Sequence, residues 1–411
     1  MKEKDLKIIT NDNNIFNIQI YIPIGSIHET KGIYGIAHFL EHIKHNRSKK
    51  YDTKKLRDKL SNFIYNASTT YDHTKYYITA DSNSYEDVIN LIKEVVFNTS
   101  FTKNEIEKER KIVFAEKIYT STQKDMYKDI NFYHDKNPYN RLVIGTTNNL
   151  KKINNKDFKK FNEKYLDKFY VFVSCPNNIK NKVKELCLKK LPKSKNKDII
   201  PINYVNMFDY KLVVRNAVSD KQLLILTFKS LKADDSDIDY LGIFDFILAK
   251  GKKSKLVSLL REDKGIIYRV ETSNNSFRDN GFYMIKLILN KNENGKDVIK
   301  LILDEFNKLK KNNLSKKDLD EYKRKYLEQL KIKLKETQFK NDFIFSNLFY
   351  NPNFTLEKFI KKNEDVTSDK INNIIMKILN FHQMNIALYG NFMDINKTNN
   401  NIFNLIEKIR K

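Results

Sequence analysis

At about 100–200 residues per domain, 411 residues allow two or three domains, and two large ones fit best. A hydrophobic content of 40% excludes a globally disordered chain, ten glycines and six prolines exclude a low-complexity one, and two cysteines exclude a disulfide framework or a cysteine-ligated zinc site. The net charge of +25 raises nucleic acid or an anionic surface as partners, but the lysines are scattered through every segment with no arginine-rich block, so the charge reads as compositional background.

The first nine residues, MKEKDLKII, carry Glu3 and Asp5 and no long apolar run, unlike a secretory signal or an acid-poor transit peptide. No stretch reaches the roughly 18 apolar residues of a membrane span. A reducing, cytoplasmic setting with free thiols is therefore expected. Phe16 to Ile24 alternates apolar and polar residues and predicts a strand. Gly35 to His45 predicts a helix. Tyr65 to Ala80, rich in Thr and Tyr, predicts one or two strands. Asp87 to Val96 carries apolar residues at helical spacing. Thr102 to Tyr119 predicts a long helix opened by a capping box, in which Thr102 and Glu105 satisfy each other's orphan amides. A helix from about Asn155 to Lys168 and a strand over Tyr170 to Val173 follow. Leu191 to Pro201, with two prolines and a basic run, is the best linker in the chain.

The second half repeats the first. Ser315 to Asp318 resembles the Thr102 cap, and Val366 to Asp369 resembles Ile153 to Asp157, each 213 residues on. The repeated order of strands and helices predicts an α+β fold of two homologous domains, each a mostly antiparallel sheet packed with helices, over 1–195 and 202–411.

Three of the seven histidines lie at His38, His42 and His45, and residues 38–42 spell H-x-x-E-H. Four apart on a helix, His38 and His42 share a face and can reach one cation. Glu41 adjoins that face and can touch a metal-bound water without binding the metal, the inverted zincin arrangement. Catalytic zinc takes three protein ligands, so a third is expected downstream. The Thr102 helix offers one, because Ile106, Glu109, Val113 and Glu116 share a face. Carboxylates on an apolar stripe are costly unless they meet a cation or hydrogen-bond donors; the other reading is that this face is simply exposed.

GIAHFLEH at residues 35–42, with ERKIVFAE at residues 109–116, resembles the pitrilysin/insulinase family of zinc metallopeptidases. By length the chain resembles its short branch, that of the mitochondrial processing peptidase and its bacterial relatives. The resemblance implies one zinc per chain held by His38, His42 and Glu116, with Glu109 supporting the site and Glu41 as general base. It implies that Asn66, Ala67, Ser68 and Thr69 form an edge strand that receives the substrate backbone. It implies that Arg261 and Tyr268, in a segment similar to the family's L-R-E-x-x-G-x-x-Y, stabilise the substrate. Taken alone, Arg261 reads as a surface helix residue and Tyr268 as a packed strand residue. In long relatives that pair comes from the distal half of one chain, so here a partner subunit would bring it, in a homodimer or a paralogous heterodimer. A constant offset of 213 places the counterparts of His38, His42 and Glu116 at Gly251, Lys255 and Gln329, so the second domain is expected to hold no metal.

The expected activity is zinc-dependent endoproteolysis of peptides or unfolded precursor segments. The alternatives are a non-catalytic or partner-dependent subunit of a processing-peptidase-like complex and, third, a basic nucleic-acid-binding protein. The chain departs from the family pattern at His45, where an apolar residue is usual, and at Asn46-Arg47-Ser48, where a Gly-Thr pair is missing. His45 reads as a surface or supporting histidine.

Overall fold

A computed structural model describes residues 1–119, 137–196, 210–217, 219, 221–290 and 293–410. They fall into two compact units, the first holding described residues 1–196 and the second those from 210 onward. The linker segment 191–201 lies partly outside the described residues.

The first unit has strands β1 (Leu6–Asn11), β2 (Ile15–Ile22), β3 (Ile64–Thr69), β4 (Thr74–Asp81) and β5 (Tyr170–Pro176). They form one sheet in the order β1-β5-β2-β4-β3, with β1 parallel to β5 and the other neighbours antiparallel. Its helices are α1 (Ile36–Lys44), α2 (Thr53–Leu60), α3 (Tyr85–Phe97), α4 (Lys103–Tyr119), α5 (Thr147–Lys152), α6 (Asn155–Tyr165) and α7 (Lys180–Lys190). Phe16, Ile18 and Ile20 of β2 join Phe39 and Ile43 of α1 and Val88, Ile92 and Val95 of α3 in the buried core. Alternation in β2 usually marks a half-solvated strand, yet Asn17 and Gln19 on its other face are buried too. Their burial is tolerated because Asn17 Nδ2 donates to Thr79 Oγ1 at 2.6 Å and Gln19 Nε2 donates to Asn17 Oδ1 at 3.2 Å. The α4 capping box forms: Glu105 N–H donates to Thr102 Oγ1 at 3.2 Å, and Thr102 N–H to Glu105 Oε2 at 2.8 Å.

The second unit has β6 (Leu212–Asn216), β7 (Leu223–Lys229), β8 (Ile267–Ser276), β9 (Gly281–Leu289) and β10 (Met384–Gly390), ordered β6-β10-β7-β9-β8. Counted within each unit, both sheets follow one scheme, first-fifth-second-fourth-third, with the first strand parallel to the fifth. The longer helices of the second unit are α8 (Leu241–Leu248), α9 (Gly295–Lys311), α10 (Lys316–Lys333), α11 (Thr337–Tyr350), α12 (Leu356–Glu364), α13 (Ser368–Ile378) and α14 (Ile395–Arg410). Two five-stranded mixed sheets with packed helices make the chain an α+β protein.

The constant offset fails at the histidine helix. From α4 to α10 and from α6 to α13 the starts are 213 residues apart, whereas α1 (from Ile36) and α8 (from Leu241) start 205 apart. The second unit carries eight more residues between these helices. The counterparts of His38 and His42 therefore fall within α8, which ends before Gly251 and Lys255; α8 holds no histidine, and its Ile243, Phe244 and Ile247 are fully buried.

Cys175 on β5 and Cys187 on α7 are buried free thiols, and burial pushes their pKa values up to about 11 and about 12. Neither should react with a disulfide reagent at pH 8 in the folded chain, and both should react within seconds in denaturant; an absorbance assay of released thiolate checks this. Among the described residues, no helix is long and apolar enough to cross a membrane.

Candidate metal centre

Helices α1 and α4 lie side by side and build the site. On α1, His38 and His42 follow one another by one turn, with ring centroids 4.5 Å apart. On α4, two turns separate Glu109 from Glu116, which places both carboxylates along the same flank as the buried Ile106 and Val113. His38 Nε2 lies 3.6 Å from Glu116 Oε1, and His42 Nε2 lies 3.3 Å from Glu116 Oε2. Donor atoms of His38, His42 and Glu116 all lie within 4.8 Å of one another. Two imidazole nitrogens and one carboxylate are a donor set that zinc accepts in catalytic sites, where a water molecule takes the fourth position. The fit extends to the supporting groups. Glu109 is buried, and its Oε1 faces His42 Nδ1 at 3.1 Å. With the hydrogen on Nδ1, Nε2 would be left to bind a cation shared with His38 and Glu116, the usual carboxylate–histidine arrangement behind a metal.

Charges are arranged around that geometry. Burial works against a charged His42, but hydrogen bonds to Glu109 and Glu116 outweigh it and hold its pKa up to about 10. Burial and the neighbouring His42 push His38 down to about 4. The hydrogen bond with His42 holds the Glu116 carboxyl below its usual range. Glu109 is also held low: burial would raise it, yet bonds from His42 and Asn46 prevail. His42 thus lies between two carboxylates, Glu109 and Glu116, a setting that favours positive charge at this point.

Glu41 is not one of the three converging groups. It is 7% exposed, and burial pushes its pKa up to about 7. Thr69 Oγ1, on β3, donates to its Oε2 at 3.0 Å. β3 is the edge strand of its sheet and pairs only with β4 among the described residues, so Asn66, Ala67, Ser68 and Thr69 run along an open edge whose last residue touches Glu41.

Several contributors carry no motif. Asn46 just past α1, in the stretch that departs from the family pattern, donates through Nδ2 to Glu109 Oε2 at 2.8 Å, and Arg57 Nη2 donates to Asn46 Oδ1 at 2.6 Å. Glu29 is buried beneath the start of α1 and accepts the Gly35 and Ala37 N–H groups. Burial pushes its pKa up to about 8, while those amides and Arg141 oppose the rise. Lys117, next to Glu116, is buried and donates to the Gly145 carbonyl. His45 ends α1 with its ring 6.3 Å from that of His42 and 6.2 Å from that of Tyr65, and burial lowers its pKa.

Arg261 and Tyr268 belong to the second unit. Arg261 lies in a wide helical turn, Ser258–Asp263, and Tyr268 on β8 is 60% exposed with Lys221 Nζ 4.3 Å from its ring centroid. Gly265 between them takes φ +64°.

Two family models match the chain: insulinase, peptidase family M16, over residues 7–135, and the M16 inactive domain over residues 152–326. The uncharacterized zinc protease YmxG of Bacillus subtilis is 24% identical over 370 residues, 88% of this chain and 90% of that one. The mitochondrial-processing peptidase subunit beta of Bos taurus is 28% identical over 162 residues, 38% of this chain and 33% of its own. A solved Helicobacter pylori protease shares the fold with a TM-score of 0.82 at 20% identity, covering 93% of this chain and 96% of that one. The chain belongs to the pitrilysin/insulinase family of peptidases.

Replacing Glu109 tests the support of His42. Glu109→Gln keeps the shape and removes the charge, so zinc affinity should fall about 10–100-fold in competition with a chromogenic chelator.

Proposed function

We propose that the chain is a zinc metalloendopeptidase that cleaves peptides or unfolded precursor segments. The observation that carries this reading is the convergence of His38, His42 and Glu116 beside a buried carboxylate, Glu41, that is not one of them. Bound to those three side chains, zinc would supply Lewis acidity toward a water molecule and the scissile carbonyl. Glu41 takes the proton from the attacking water and passes it to the leaving amine; its raised pKa suits a group that must both accept and donate near neutral pH. Thr69 holds the Glu41 side chain in place. The β3 edge pairs with the substrate backbone as an added strand, which leaves sequence preference to side-chain pockets. Glu109 fixes the His42 ring.

Arg261 and Tyr268 supply hydrogen-bond donors for the tetrahedral oxyanion, brought by a partner subunit in a homodimer or a heterodimer with a paralogue. Relatedness to a processing-peptidase subunit named beta supports the partnered form. The equivalent helix of the second unit, α8, carries no histidine, so the role of that unit is structure and substrate contact.

Incubation of the zinc-loaded chain with a library of unstructured peptides, read by mass spectrometry, tests the proposal. Cleavage that a chelator abolishes and zinc restores is expected. Zinc binding without cleavage, with and without a paralogous partner chain, favours a non-catalytic subunit. Salt-dependent nucleic-acid binding in place of both overturns it.

A further inference from the structure

The helix that carries His38, Glu41 and His42 has no cap of its own. Its N-cap position is Gly35, at φ +98°, with no side chain to accept an N–H. The first amides of a helix need acceptors, and a helix start buried without them is unstable. Glu29 fills the gap from outside: its Oε2 accepts the Gly35 N–H at 2.8 Å and its Oε1 accepts the Ala37 N–H at 2.9 Å. Ala37 immediately precedes His38. Glu29 is 5% exposed, so both contacts are shielded from water.

The same place is tied to the other ligand-bearing helix. A Cβ on Gly35 would lie 2.5 Å from the Ile144 carbonyl oxygen, so the 144–145 backbone abuts the start of α1. Lys117, one residue beyond Glu116 on α4, donates to the Gly145 carbonyl. The start of α1 is thus held from below by Glu29 and from the side by a loop anchored beside Glu116. An axial slip of α1 by one peptide unit, about 1.5 Å, would carry His38 and His42 away from Glu116.

We propose that Glu29 is a positioning residue of the metal centre: by accepting the Gly35 and Ala37 amides it sets the height of the histidine helix against Glu116. The proposal rests on the zinc reading given above. A role in metal placement differs from a role in folding alone. Loss of a purely structural cap lowers the stability of the metal-free and zinc-bound chains equally and leaves zinc affinity unchanged. Loss of a positioning group weakens zinc binding itself.

Zinc dissociation constants by chelator competition, with thermal unfolding of metal-free and zinc-loaded protein, decide between them for the full chain. Glu29→Ala is expected to weaken zinc binding about 10–100-fold, as removal of groups that orient metal ligands does, and to shrink the zinc-induced rise in Tm. Glu29→Gln keeps the packing but turns one acceptor into a donor, and should fall between wild type and Glu29→Ala. If Glu29→Ala does not fold, Glu29→Gln carries the test. Gly251→Ala, a strained exposed turn far along the chain from the zinc ligands, serves as a destabilised control with unchanged zinc affinity. Zinc affinity within twofold of wild type in the Glu29 variants overturns the proposal while leaving the metallopeptidase reading intact. A wild-type chain that binds no zinc overturns both.

Discussion

Glu41→Gln should lower peptide cleavage by about 10²–10⁴-fold while zinc stays bound with wild-type affinity. The substitution keeps the volume and keeps an oxygen able to accept from Thr69 Oγ1, now 3.0 Å from the carboxylate. It removes only the ability to take up a proton. Because Glu41 is outside the ligand cluster, metal content by atomic absorption should match wild type. Loss of zinc along with activity would instead make Glu41 a structural member of the site. Retention of cleavage would remove it as the base. The contrast with Glu109→Gln is informative, since that variant should lose zinc affinity first and turnover only as a consequence.

The second large effect is on stability. Gly145→Ala should destabilise the chain by roughly 3 kcal/mol or more, through the left-handed backbone and a direct overlap together. Gly145 has φ +75°, and an added Cβ would overlap the Tyr34 carbonyl oxygen and the Gly35 backbone. Neither neighbour is the end of a flexible side chain, so relief requires moving the start of α1. Gly251→Ala separates the two contributions. Its φ is +87°, but nothing lies within 4 Å of an added Cβ, so it should cost only about 1–2 kcal/mol. Urea unfolding midpoints at constant slope measure both. Equal losses in the two variants would mean that the close approach at Gly145 costs nothing.

The parts of the site readable in the sequence are those with short-range spacing. H-x-x-E-H places three groups on adjoining faces of one helix whatever surrounds it. The seven-residue interval from Glu109 to Glu116 does the same on α4, and the family resemblance distinguishes ligand from support. The capping box at Thr102 is local and was equally legible. Asn46, Arg57, Glu29 and Lys117 act through contacts that span from 6 residues (Glu29 to Gly35) to 63 (Asn46 to Glu109), and no local pattern marks them. Strand β1 was missed because LKIITN has too few residues to display a period, and its place is fixed by pairing with β5. The repeat was legible where both copies keep a helix cap. It misplaced the histidine counterparts because eight extra residues shift the frame between α8 and α10.

The parallel pairing of first and fifth strands in each sheet also orders events during synthesis. β1 is made well before its partner β5, which ends at Pro176, some 160 residues further on. The sheet of the first unit cannot close until that strand has left the ribosome, and contacts of such sequence separation form slowly. β2 and β4 with α1 and α4 are complete earlier, so the histidines and Glu116 can meet on a nascent chain whose first sheet still lacks its outer pair. The second unit repeats the delay, with β6 waiting for β10 at Met384–Gly390. A chain arrested between these points would expose the flank of β2 that β5 later covers, and that exposed edge is where a chaperone would find it.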